Sequence, residues 1–198
     1  MISPRTLLES LQPVLQAERP VLVVLAGSNG AGKSTFYDLY LRALGLPFVN
    51  ADDIGRALHP ETPERFSYEG AVIADAARRE LVARRASFCM ETVFSDPAGD
   101  KVQFLRAAQG AGNSVVFLWM RLSDAQLSAA RVSQRVARGG HDVPPEKLEV
   151  RFERTRRNAA GALTFVDVAA VIDNSSVDAP FQLLEWWERG HCARRAAP

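Results

Sequence analysis

The chain has 198 residues, 47% of them hydrophobic, which fits one domain of ordinary size and disfavours both disorder and two full domains. Its 24 basic and 23 acidic residues nearly cancel, so no global field draws it to nucleic acid or to an anionic membrane. With no long apolar run, and with Glu9 and Glu18 in place of a signal-peptide core, a cytoplasmic protein that does not cross a membrane is expected. Cys89 in an apolar run and Cys192 near the end are unclustered, which argues against a disulfide framework or a zinc site.

In chain order, short β-branched runs alternate with longer segments of helical period. Strands are predicted over Val21–Ala26, Phe48–Asn50, Phe88–Val93, Ser114–Met120 and Val168–Ile172. Helices are predicted over Leu7–Ala17, Lys33–Leu44, Pro63–Arg85, Asp100–Ala108, Asp124–Arg138, Pro145–Leu163 and Pro180–Glu188, with 190–198 left as a tail. Strands that are apolar throughout belong to a parallel sheet covered on both faces. The expectation is therefore a single α/β domain over 1–198: a three-layer fold whose mainly parallel five-stranded sheet has helices on both sides. Gly110–Asn113 and Gly139–Pro145 are loops by their helix breakers, too short to link domains.

The strongest local signal follows the first strand. Gly27-Ser28-Asn29-Gly30-Ala31-Gly32-Lys33-Ser34 matches the G-x-x-x-x-G-K-[ST] phosphate loop and sits between an apolar strand and a helix, as that motif requires. Glycines permit a tight loop whose N–H groups turn inward, and the helix start adds partial positive charge where phosphates rest. Lys33 is expected to bridge the β- and γ-phosphates of ATP, and Ser34 to offer its hydroxyl to Mg²⁺. No LSGGQ-like segment and no Asn-Lys-x-Asp base-recognition motif occur, and no apolar strand ends in Asp-Glu; Val171-Ile172-Asp173-Asn174 comes nearest. Transporter ATPases and GTPases are thereby disfavoured, which leaves small-molecule kinases.

Two carboxylates, Asp52 and Asp53, follow the second strand, at the end of a parallel sheet where ligands bind. Transfer to a hydroxyl needs a proton acceptor beside the cradle, and Asp52 is the candidate base; helix capping is the competing role, more for Asp53 than for Asp52. The third strand holds one acid, Glu91, which is costly to bury without a partner or a ligand. Glu91 is expected to face the cleft and bind substrate, with Thr92 and Ser95 as further polar contacts, unless it pairs with a core arginine.

Arg131, Arg135 and Arg138 recur at i, i+4 and i+7 and so share one helix face, with no acid between Asp124 and Asp142. Arg151, Arg154, Arg156 and Arg157 follow on the next helix, after Gly139-Gly140-His141-Asp142-Val143-Pro144-Pro145. This local positive field suits triphosphate, and an arginine delivered by a closing loop stabilises charge on the transferred group. Arg135 and Arg138 are assigned to catalysis, Arg151, Arg154 and His141 to substrate, and a solvated charged helix is the plain alternative.

Taken together, the loop Gly27–Thr35, Val49-Asn50-Ala51-Asp52-Asp53-Ile54, Glu91-Thr92-Val93-Phe94-Ser95, the run Arg131–Pro144 and Arg151-Phe152-Glu153-Arg154 resemble the zeta toxin family of P-loop kinases, in order from about 20 to 175. The resemblance implies an ATP-dependent kinase acting on a hydroxyl of a UDP-linked N-acetyl amino sugar. It places the base at Asp52, the substrate-holding glutamate at Glu91 and lid arginines among Arg131, Arg135 and Arg138. By looser analogy with adenylate-kinase lids, Arg131 would lie on adenine. The lid is short here, in a Gly-Gly-His-Asp-Val-Pro form, where toxin members carry a longer acidic insertion. Rival readings are a kinase of another metabolite or of a nucleic-acid 5′ end, the latter opposed by the neutral charge, and a nucleotide-dependent regulator with an antitoxin-like protein partner. Trp186 and Trp187 are the one hint of a docking surface, although paired indoles more commonly anchor a core.

Overall fold

The computed structural model describes residues 4–61, 66–137 and 145–196. Seven strands form one sheet: β1 Val21–Gly27, β2 Phe48–Val49, β3 Phe88–Thr92, β4 Ser114–Arg121, β5 Val168–Asp173, β6 Gln182–Glu188 and β7 His191–Arg195. Their order is β2-β3-β1-β4-β5-β6-β7, with β2 to β5 parallel and β6 and β7 antiparallel. The helices are α1 Pro4–Leu15, α2 from Lys33, α3 Ala51–Leu58, α4 Ser67–Ala83, α5 Asp100–Gly110, α6 Ala125–Val136 and α7 Pro145–Leu163. Regular α geometry in α2 lasts only to Phe36, then widens to a π turn over Tyr37–Leu41 and tightens to a 3₁₀ turn over Arg42–Leu44.

Alternation along β1 builds two cores. Val21, Val23 and Leu25 face α1 and α2 through Leu7, Leu11, Phe36 and Leu41. Leu22, Val24 and Ala26 face α4, α5 and the end of α7 through Ala74, Leu105 and Ala162. Both layers are closed, so all seven residues of β1 are buried and its C-terminal end is a rigid base for the loop that follows.

The expected five-stranded sheet is thus corrected to seven strands, and the expected closing helix over Pro180–Glu188 is strand β6. A bulge explains the misreading. Ile172 pairs with Leu183 and Val171 with Glu185, so one extra residue is accommodated in β6. Its buried residues, Leu183 and Trp186, therefore fall three apart, which imitates a helical period in the sequence. Trp186 enters one core and Trp187 packs against the other, each indole N–H donating to a glutamate of its own strand, Glu188 and Glu185 respectively. The expected tail contains β7, exposed along its whole length.

Candidate active site

The phosphate loop crosses the C-terminal end of the sheet between β1 and α2. Gly30 and Gly32 have φ of 73° and 85°, a region where side chains are strained, and a Cβ on Gly30 would meet the Cβ of Arg131 at 2.9 Å. Three side chains from elsewhere in the fold hold the loop. The Ser128 hydroxyl donates to the Asn29 carbonyl at 2.7 Å, an Arg131 Nη donates to the Gly30 carbonyl at 3.5 Å, and the Asn174 amide donates to the Ala31 carbonyl at 3.0 Å. Three successive carbonyls are thus held by side chains from outside the loop, while the Ala31 N–H donates to the Ser28 carbonyl at 3.2 Å within it. Asn174 is fixed in turn, since its carbonyl oxygen accepts from Phe181 N–H.

The Lys33 ammonium is buried and donates to the carbonyls of Gly27 and Ser28 at 2.9 and 3.0 Å. Burial pulls its pKa below the ordinary lysine value, Arg135 adds to that pull, and the charges of Glu91 and Asp52 oppose it. Glu91 lies 3.9 Å from the ammonium. Its other oxygen accepts from the Ser34 hydroxyl at 2.9 Å and from the Asn50 amide at 3.2 Å. Burial raises the Glu91 pKa, Lys33 and Ser34 counter it, and Asp52 and Asp53 reinforce it. Glu91 therefore meets Lys33 and Ser34 directly, and the charge of Asp52 acts on both Lys33 and Glu91.

Asn50 is the N-cap of α3: its side-chain oxygen accepts from Asp52 N–H at 2.9 Å. The helix begins at Ala51, so neither Asp52 nor Asp53, for which capping is the competing role from sequence, is the cap. Asp52 is exposed in the first turn, and its carboxylate has no hydrogen-bond partner among the described residues. Asp53 pairs with Arg56.

The polar residues after Glu91 divide. Thr92, expected to contact substrate, is buried, and its hydroxyl oxygen accepts from Phe94 N–H at 3.0 Å in a backbone turn. That turn places Phe94 at φ 62°, a strained conformation for a bulky residue, held by its fully buried ring and by the Asn158 amide on its carbonyl. Ser95 is half-buried just beyond the turn. From α7, Thr155 donates to the Val93 carbonyl at 2.8 Å, and Asn158 also donates to the Asp96 carbonyl at 3.0 Å. Arg151 and Arg154, half-buried, lie one turn and one residue before Thr155, so α7 carries them toward the loop that leaves β3.

Asp124 caps α6, and Arg131 on that helix is turned to the loop carbonyl and to the Ser175 carbonyl at 3.3 Å. Arg135 lies near enough to Lys33 for their charges to oppose each other. Arg138 and His141 lie outside the described residues. Sequence reasoning missed Ser128, Asn174 and the buried Arg78, whose Nη donates to the Glu91 carbonyl at 3.1 Å. Only Asn174 carried a local signal, as the residue after the apolar run of β5.

ATP and Mg²⁺ suit these residues. The braced loop and the buried ammonium form an anion cradle, and a hydroxyl beside a carboxylate, Ser34 with Glu91, offers the hard oxygens that Mg²⁺ takes together with phosphates. No group of three His, Cys, Asp or Glu side chains that could hold a metal occurs among the described residues.

A mostly parallel sheet, a phosphate loop at its C-terminal end and acids on β3 and in the first turn of α3 define a kinase-like P-loop protein. The zeta toxin family matches residues 5–179, and the chain belongs to that family. It is similar to an uncharacterized protein of Haemophilus influenzae, 22% identical over 130 residues, which are 66% of this chain and 91% of the relative. Among solved structures, the complex AvrRxo1-ORF1:AvrRxo1-ORF2 with sulphate ions aligns with TM-score 0.66 at 18% identity, covering 96% of this chain and 66% of that one. The PezAT chromosomal toxin-antitoxin system of Streptococcus pneumoniae aligns with TM-score 0.56 at 13% identity, covering 96% and 79%. These likenesses support the fold. Family and fold together point to a nucleotide-dependent kinase, and no helix among the described residues is long and apolar enough to cross a membrane.

Proposed function

We propose that the chain transfers the γ-phosphoryl group of ATP to a hydroxyl of a small molecule, with a UDP-linked N-acetyl amino sugar as the acceptor class. The observation that carries this reading is the exposed Asp52 carboxylate, without a hydrogen-bond partner among the described residues, whose charge acts on both Lys33 and Glu91. Gly27, Ser28, Asn29, Gly30, Ala31, Gly32, Lys33, Ser34 and Thr35 would hold the triphosphate, with Ser34 at the Mg²⁺. When bound, ATP·Mg²⁺ supplies the phosphoryl group and a cation that offsets its charge.

Asp52 takes the proton of the acceptor hydroxyl as that oxygen attacks phosphorus and ADP departs. Glu91, whose raised pKa keeps it closer to protonation than an ordinary glutamate, orients the acceptor by hydrogen bonds. Lys33 and Arg135 stabilise charge on the transferred group, joined in the proposal by Arg138, while Ser95, His141, Arg151 and Arg154 border the acceptor. Arg131 contributes to nucleotide binding by holding the loop in shape rather than by lying on adenine. The PezAT likeness extends the proposal to an antitoxin-like protein partner.

Labelled γ-phosphate from ATP, offered with UDP-N-acetylglucosamine and with other hydroxylated metabolites, tests the reading. Transfer to the nucleotide-sugar is expected. Transfer only to another metabolite would overturn the acceptor class, and hydrolysis with no acceptor at all would overturn the kinase.

A further inference from the structure

Arg78, on α4, is buried with 6% of its surface exposed, yet among the described residues its guanidinium meets a single acceptor, the Glu91 carbonyl. Its Nε is buried without a hydrogen-bond partner. Among the described residues, the one carboxylate charge that supports it is Asp75, which is already bonded to Arg79 Nε at 2.8 Å. A buried guanidinium so poorly matched is costly in a merely structural role, where a neutral donor would satisfy one carbonyl.

The strand register shows where this group lies. Cys89 N–H donates to the Pro47 carbonyl, so Cys89 bonds toward the β2 side. In a parallel ladder the bonding side alternates, hence the N–H and C=O of Glu91 point to that side too. There β2 has ended, its last pair being Val49 with Met90, and the chain turns through Asn50 into α3. The Glu91 carbonyl thus opens onto the corner between β3 and the start of α3, and Arg78 reaches that corner from α4. Asn50, whose amide bonds the Glu91 carboxylate on the other face of the sheet, begins that turn, and Asp52 lies two residues past Asn50.

We propose that Arg78 binds an anionic group, a phosphate or a carboxylate, of the acceptor, whose hydroxyl is presented to Asp52 and Glu91. The acceptor is then a hydroxylated metabolite that carries an acid. Two carboxylates recognise the hydroxyl side and one guanidinium the acidic side, a division that rejects neutral sugars because they leave Arg78 unmatched. The inference rests on the kinase reading only in taking this corner as the acceptor's place.

Two measurements on Arg78→Gln and Arg78→Lys test it. In phosphoryl transfer to UDP-N-acetylglucosamine, Arg78→Gln is expected to raise the acceptor KM at least about tenfold, the loss of one charged hydrogen bond, with the ATP KM unchanged. Arg78→Lys, which keeps the charge, restores part of the affinity. In the second measurement the protein is saturated with ADP and Mg²⁺ and titrated at constant ionic strength with inorganic phosphate or with malonate, followed by NMR of the amides in α4 and β3. Saturable binding that Arg78→Gln weakens at least about tenfold supports the proposal, and the stronger of the two anions names the acidic group. If the nucleotide-sugar accepts no phosphate while this anion binding persists, the acceptor class falls and Arg78 keeps its role. Wild-type protein that binds neither anion, or variants that bind both as well as wild type does, would overturn the proposal.

Discussion

On the nucleotide side of the cleft, the carbonyls of Asn29, Gly30 and Ala31 are each held by a side chain from another element, and Lys33 donates to two more carbonyls. On the proposed acceptor side, among the described residues, the Asp52 carboxylate has no hydrogen-bond partner, Arg78 has one acceptor for its whole guanidinium, and Glu91 is held by Ser34 and Asn50. The first side is a fixed mould for phosphate, of the kind that P-loop proteins share. The second keeps charge and hydrogen-bonding capacity in reserve for a molecule of particular shape. In the proposed reading, specificity resides on this second side.

Breaking the mould at its centre should have the largest effect. Lys33→Met removes the charge that faces the transferred group, and transfer is expected to fall by about 10²–10³-fold, measured as kcat with folding followed by circular dichroism. Unchanged kcat would show that Lys33 serves only to hold the Gly27 and Ser28 carbonyls.

Glu91→Gln sharpens the acceptor side. Burial raises the Glu91 pKa, so the carboxylate ionises only above the ordinary glutamate range and binds the acceptor best above its own pKa. The pH profile of kcat/KM for the acceptor should have an acid limb displaced upward from that range. Glu91→Gln should remove this limb and raise the acceptor KM by about tenfold, as the loss of one charged hydrogen bond. A profile that is identical in the variant would place the limb on another group.

The smallest effect is expected from Ser128→Ala, which frees the Asn29 carbonyl from outside the loop. It should cost about 0.5–1.5 kcal/mol of stability and raise the ATP KM a few-fold without changing the acceptor KM. Equal changes in both would contradict the separation of the two sides.

The same contrast explains what the sequence made legible. The cradle was readable because glycines at fixed intervals, a lysine and a hydroxyl are confined to a few residues of chain, and Asp52 and Glu91 were readable because each follows or interrupts an apolar strand. Ser128 and Asn174 brace the loop from 99 and 143 residues away, and Arg78 reaches the Glu91 carbonyl from the opposite core, so no local pattern marks them. Thr92 looked like a substrate contact because its hydroxyl stands beside Glu91 in the chain, but strand alternation and the strained turn at Phe94 take it inward. The parallel part of the sheet followed from its uniformly apolar strands, whereas the bulge in β6 disguised an antiparallel strand as a helix.

The most direct test of the central claim is the transfer rate of Asp52→Asn at saturating ATP, compared with wild type using the same acceptor. The substitution keeps size and hydrogen-bonding ability and removes only the capacity to take a proton. Phosphoryl transfer reduced by about 10²–10⁴-fold with ATP affinity preserved is the predicted result. Transfer at the wild-type rate would show that Asp52 does not act as the base.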